Sequence, residues 1–225
     1  MAMVRALFAG IPRGPAMPPR PDPAPVVAAR DTFLVLEDRV QLPRLYAAWH
    51  SVKGYAADDA ALDVLGAILG QGKTSRLYER LVYREQVAQS VSAYQNGQRL
   101  GGTFQVSISP RAGQRPAQML KVLDEEIARI AEQGVTEREL GRALASMETA
   151  MLDRLSSVLG KADQLNAYAY ETGDPGFLER DLARYRAVTI ADVQRVARTY
   201  LRQPRVVLTV VPQGKTDLAV TGVIQ

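Results

Sequence analysis

The chain has 225 residues, 47% hydrophobic and 23% charged, the proportions of a globular protein with a substantial core. Its net charge of +4 comes with arginines scattered along the chain, not from a basic run interleaved with aromatics, which argues against nucleic-acid binding. With no cysteine and one histidine, His50, the chain can form neither a disulfide framework nor a thiolate metal site.

The opening "MVRALFAGI" has the apolar spacing of a helix end. It is too short, and too soon followed by Pro and Gly, to be a secretory signal, and no apolar run is long enough to span a bilayer. Residues 12–25 hold seven of the 13 prolines; proline fixes φ and lacks a donor, so this stretch reads as a stiff linker. A linker so near the start suggests a chain taken from a longer one. The segments "TFLVLED" and "RVQLPRLYAAWHSV" read as strands. A helix is expected over 57–70, with Leu62, Leu65, Ile68 and Leu69 on one side and Asp58 and Asp59 in its first turn. A further helix through "RLYERLVYREQ" would be capped by Thr74 or Ser75.

"QSVSAYQ" and "GTFQVSIS" follow as strands around the turn "NGQRLGG". In the second, Phe104, Val106 and Ile108 should face a core, and Thr103, Gln105, Ser107 and Ser109 water or a cavity. An amphipathic helix ends at Gly134; the capping box "TERE" starts another, expected to reach about Leu159. Shorter helices are expected over "KADQLNAYAYETG", "GFLERDLARYRAV" and, after a second capping box at Thr189, "ADVQRVARTYL"; "RVVLTVV" closes as a buried strand. Hairpin strands cannot be parallel partners. The expected fold is therefore α+β, in two layers, with a mostly antiparallel sheet of about five strands covered on one face by helices.

The run "LGQGKTSRL" imitates the end of a phosphate-binding loop. The motif needs a glycine five positions before Gly72, where Ala67 stands, and a strand before it, where the periodicity gives a helix. A C-cap at Gly70 and a turn at Gly72 explain the glycines instead. His50, at a strand end, has no carboxylate at metal-ligand spacing and is expected to make only a local hydrogen bond. The pairs Asp58–Asp59 and Glu125–Glu126 lie on expected helices, where neighbours do not share a face, and are read as solvated. No serine has a nearby base to complete a triad.

The run "GKTSRLYERLVYREQVAQSVSAY", from Gly72 to Tyr94, resembles a segment of the pitrilysin/insulinase family of zinc metallopeptidases, which includes the mitochondrial processing peptidases. "LFAGIPRGP" is similar to the end of that family's first domain and the start of its linker. "LPRLYAAWHS", "TERELGRAL", "VTIADVQRVARTYL" and "VVLTVVP" are similar to its second strand, a long helix and its closing helix and strand. The resemblance implies two similar α+β domains closing around a peptide, the first carrying zinc on His-x-x-Glu-His with the Glu as base. That motif is absent here, so the chain resembles the second, non-catalytic half. Residues 1–30 would then be the end of a preceding domain plus linker, and 31–225 the peptidase-like domain. The expected partners are a zinc-binding half, in the same parent chain or as a separate subunit, and a peptide; no cofactor is expected in this chain. Relatives of this type are often exported from bacterial cytoplasm, which implies an extracytoplasmic place.

In that family the second half often supplies an Arg and a Tyr, seven residues apart, that reach the substrate. Here the corresponding positions are Val82 and Gln89. Gln89 can donate to a peptide carbonyl, whereas Val82 cannot replace a guanidinium. Tyr83, Arg84 and Gln89 are the candidate substrate contacts. The competing expectations are an assembly subunit of the same family without proteolysis and, from the loop at Gly72, a nucleotide binder.

Overall fold

In the computed structural model, which describes residues 1–16, 18 and 28–222, most of the proline-rich stretch lies outside the described residues. An isolated helix, α1 (Ala2–Phe8), buries none of its residues. The body contains five strands, β1 (Thr32–Asp38), β2 (Arg44–Ser51), β3 (Ala88–Gly97), β4 (Gly102–Pro110) and β5 (Val206–Pro212). Its helices are α2 (Asp59–Gly70), α3 (Pro116–Gln133), α4 (Glu137–Arg154), α5 (Val158–Thr172), α6 (Leu178–Arg186) and α7 (Ile190–Tyr200).

The sheet runs β1-β5-β2-β4-β3. All its pairings are antiparallel except β1 with β5, so β1 and β2 are not the hairpin that their adjacency suggests; the last strand enters between them. The alternation in β4 holds. Phe104, Val106 and Ile108 are buried with Leu45, Ala47 and Trp49 of β2 and Val207 of β5, beneath Leu62, Leu65 and Leu69 of α2, Leu120 and Leu123 of α3, and Val193 and Val196 of α7. Burial of each such side chain contributes about 1.5–3 kcal/mol, which fixes which way the sheet faces.

Three local expectations change. Gly70 is not a left-handed cap: it is the last residue of α2, followed by an extended Gln71. It is glycine because α2 lies directly on β3, where an added Cβ would stand 2.5 Å from the Ala93 backbone nitrogen. Helix α4 stops at Arg154, short of Leu159, because the Ser157 side chain accepts from the Gly160 N–H and starts α5. The helix after "GKTS" is wound as a π-helix over Tyr78–Arg84, and neither Thr74 nor Ser75 caps it through a side chain.

Candidate functional site

The corner at Gly72 closes on itself. Gly72 takes φ +75°, as the turn requires, and the buried Ser75 donates to its carbonyl through both Oγ (2.8 Å) and N–H (3.3 Å). Arg76 then reaches the start of α4, with Nε 2.7 Å from Glu139 Oε1 and Nη2 3.0 Å from Oε2. Glu139 also accepts from the Thr136 N–H at 2.8 Å, in the expected capping box. Burial works against its charge, but Arg76 and Thr136 outweigh that and hold the carboxyl down at about 2. Leu77 completes the Ser-Arg-Leu run in the core. The run is a structural staple between the corner and α4, not an anion cradle.

Along the π-helix, Arg80 meets Glu85 (2.9 Å), Glu125 (2.5 Å) and Glu126 (3.1 Å). The paired carboxylates are therefore not both solvated: Glu126 is 3% exposed and Asp59 7%. Neighbours on a helix point about 100° apart, so one of each pair turns inward and needs a cation. Glu126 has Arg80 and Arg129, and Asp59 has Arg184.

The four positions singled out in the sequence do not converge. Val82 packs against the core. Tyr83 is 74% exposed, and Arg84 turns outward to pair with the exposed Glu79. Gln86 sits between helix and strand at φ +54°, a left-handed conformation costly for a residue with a Cβ. Gln89 is exposed at a bulge: Ala88 pairs with Pro110 and Ser90 with Ser109, leaving Gln89 as the extra residue. Bulges of this kind re-aim a side chain at the sheet rim.

Among the described residues, the other face of the sheet is half-buried to exposed except at Val210, and its two ends differ. On β3 and β4 it is a ladder of neutral polar groups. Ser92 and Ser107 hydroxyls meet at 2.9 Å, Tyr94 donates to Gln105 Oε1 at 2.9 Å, and Gln105 Nε2 donates to Thr103 at 2.8 Å. On β1 and β5 it is apolar, with Leu34, Leu36 and Val206 from 38% to 50% exposed. The register places His50 on this face, opposite Thr103. The His50 side chain is exposed and makes no hydrogen bond among the described residues, so the expected local bond is not made. Sequence reasoning recognised the outward face of β4 but not Ser92 and Tyr94 of β3 as its continuation. The alternation in "SVSAYQ" carried that signal, interrupted by the small Ala93 on the buried face.

Among the described residues, no group of three or more His, Cys, Asp or Glu side chains is placed to hold a metal. One histidine and no cysteine do not form the ligand set of a catalytic zinc.

Comparison with known proteins fits this geometry. Residues 1–147 match the family described as the peptidase M16 inactive domain, and the chain belongs to that family. It is 32% identical over 148 residues to an uncharacterised zinc protease of Streptomyces coelicolor; the match covers 64% of this chain and 31% of that protein. A peptidase M16 inactive domain from Pseudomonas fluorescens superposes with TM-score 0.79 at 20% identity, over 94% of this chain and 50% of the other. A protease from Helicobacter pylori gives 0.78 at 18%, over 94% and 51%. The inactive peptidase domain of a protein described as a zinc protease, from Bordetella parapertussis, gives 0.69 at 24%, over 79% and 95%. These structural likenesses establish the α+β fold. The chain spans about half the length of the first two solved relatives.

Proposed function

We propose that this domain is the non-catalytic half of a zinc-dependent metalloendopeptidase. It pairs with a half bearing His-x-x-Glu-His, which holds the zinc, and together they enclose a peptide. The observation that carries this reading is the half-buried to exposed sheet face of a chain from the inactive-domain family. Its hydroxyl and amide groups offer donors and acceptors to an extended backbone without preferring a charge. Gln89, turned out at the bulge, adds an amide at the rim. Zinc chemistry comes from the partner; this half positions the peptide and excludes water. The apolar end at Leu34, Leu36 and Val206 is the part of the face that pairing would dry. The test is hydrolysis of a quenched fluorescent peptide by the zinc-bearing half with and without this domain. Activity that needs the domain supports the reading; activity indifferent to it refutes it.

A second reading, an assembly subunit without a part in proteolysis, has one observation in its favour. Val82, at the position where the family resemblance implies an arginine, packs against the core. It expects a stable complex whose peptide turnover is zero or unchanged by Gln89→Ala.

A further inference from the structure

Helices α5 and α6 are fastened to the body by buried polar groups instead of a continuous apolar seam. Asp59, near the start of α2, accepts from the Tyr55 N–H (2.8 Å), from Gln95 Nε2 of β3 (3.4 Å) and from Arg184 Nη2 of α6 (3.2 Å). Asp181, 5% exposed, accepts from Tyr168 OH of α5 at 3.0 Å and from Arg184 Nη1 at 2.7 Å. Tyr55, Tyr168 and Phe177 meet edge to face around them, with centroids 5.7–6.1 Å apart. One turn along α2, the Asp63 carboxylate accepts one hydrogen bond from the described residues, from Tyr185 OH of α6 at 2.6 Å.

The charges do not balance. Three carboxylates, Asp59, Asp63 and Asp181, share one cation, Arg184, which bonds to the other two and not to Asp63. Among the described residues, no second cation forms a salt bridge with any of the three. α5 presents Tyr168 and carries Glu171; β3 presents the neutral Gln95. On α7, Arg195 and Tyr200 bind Asp58, and on α4, Glu148 is held by Arg186 of α6. Beside α5 a half-open, mostly apolar pocket of about 270 Å³ is bordered by Leu155, Lys161, Leu165, Tyr168 and Leu178.

We propose that the α5–α6 hairpin is a lobe fastened to α2 by a proton-operated latch, with Asp63 as the proton-binding group and Tyr185 as its partner. With the proton on, the Asp63–Tyr185 bond joins the two helices without an uncompensated charge; with the proton off, the third carboxylate opposes closure. Desolvation, with the neighbouring Asp59 and Asp181, pushes the Asp63 carboxyl up to about 7, against the Tyr185 hydrogen bond and the charge of Arg184. In the open lobe Asp63 is solvated and returns to about 3.8. The closed form therefore binds the proton more tightly. Its advantage is complete below pH 3.8, declines as pH rises, and is gone above about 7.

Hydrogen exchange over residues 158–186, corrected for intrinsic rates, tests this between pH 4.5 and 8.5. The expected opening equilibrium rises by up to about tenfold per pH unit as far as pH 7 and then levels off. Asp63→Asn should abolish that slope and keep the lobe closed at pH 8. His50→Gln, on the opposite face of the sheet, should leave it unchanged. Should Asp63→Asn fail to fold, carboxyl carbon NMR on the unaltered domain replaces it, and the Asp63 signal should titrate near pH 7. A slope that persists in Asp63→Asn, protection independent of pH, or an Asp63 midpoint near 4 would each overturn the latch. None of these outcomes depends on whether the domain pairs with a zinc-bearing half.

Discussion

Helix α2 has two seams of opposite character. Toward β3, beyond the Asp59–Gln95 contact at its start, it is in close backbone contact: Cβ atoms added at Gly66 and Gly70 would stand 3.0 Å from the Tyr94 Cα and 2.5 Å from the Ala93 nitrogen. Toward α6 it is polar, made of Asp59, Asp63, Arg184 and Tyr185. Shape complementarity holds the first at any pH. The second depends on where protons and one guanidinium sit. A domain built this way can keep its sheet rigid while a neighbouring helical hairpin opens at smaller cost.

The largest expected effect falls on the polar seam. Arg184→Met strands Asp59 and Asp181 without a cation, and breaking such a mostly buried arrangement costs about 3–5 kcal/mol. Denaturant unfolding measures it; a loss below 1 kcal/mol would mean that the seam is already wet. Gly70→Ala tests the seam with β3. Backbone, not a flexible side-chain end, stands in the way, so the cost should be about 1–3 kcal/mol. The same substitution at Gly141 of α4, where nothing lies within 4 Å, should be neutral or stabilising.

The staple between Arg76 and Glu139 sharpens the contrast in pH. Its carboxyl is held down at about 2, so it contributes stability above the ordinary 4.5 and loses it as pH falls toward 2. That sign is opposite to Asp63, whose contribution is lost as pH rises to 7. Thermal unfolding from pH 2 to 5 should show the acid limb, flattened in Arg76→Met. The smallest effect is a gain. Gln86→Gly relieves a left-handed residue at the junction of the π-helix and β3 and should stabilise by about 1 kcal/mol.

Much of this was legible in the sequence wherever one period or one cap decides it. β4 declared its faces through Phe104, Val106 and Ile108 against Gln105 and Ser107, and Thr136 and Thr189 declared two helix starts through capping boxes. Non-local partners were not legible. Nothing near "RVVLTVV" says that β5 enters between β1 and β2, or that Gly70 is small for the sake of Ala93. The Asp and Glu pairs misled for the same reason: Arg184, the cation of Asp59, and Arg80, one of the two on Glu126, lie far away in the chain. For the candidate site, the resemblance singled out Val82, Tyr83, Arg84 and Gln89. Only the fold shows that Val82 turns inward, Tyr83 and Arg84 outward, and Gln89 into a bulge.

The most direct test of the proposed role is peptide hydrolysis by the zinc-bearing half, titrated with this domain and with its Gln89→Ala and Leu36→Lys forms. Turnover should rise with added domain and saturate, with a weaker half-saturation for Leu36→Lys and a lower plateau for Gln89→Ala. Turnover that is full without the domain, and unmoved by adding it, would contradict the account.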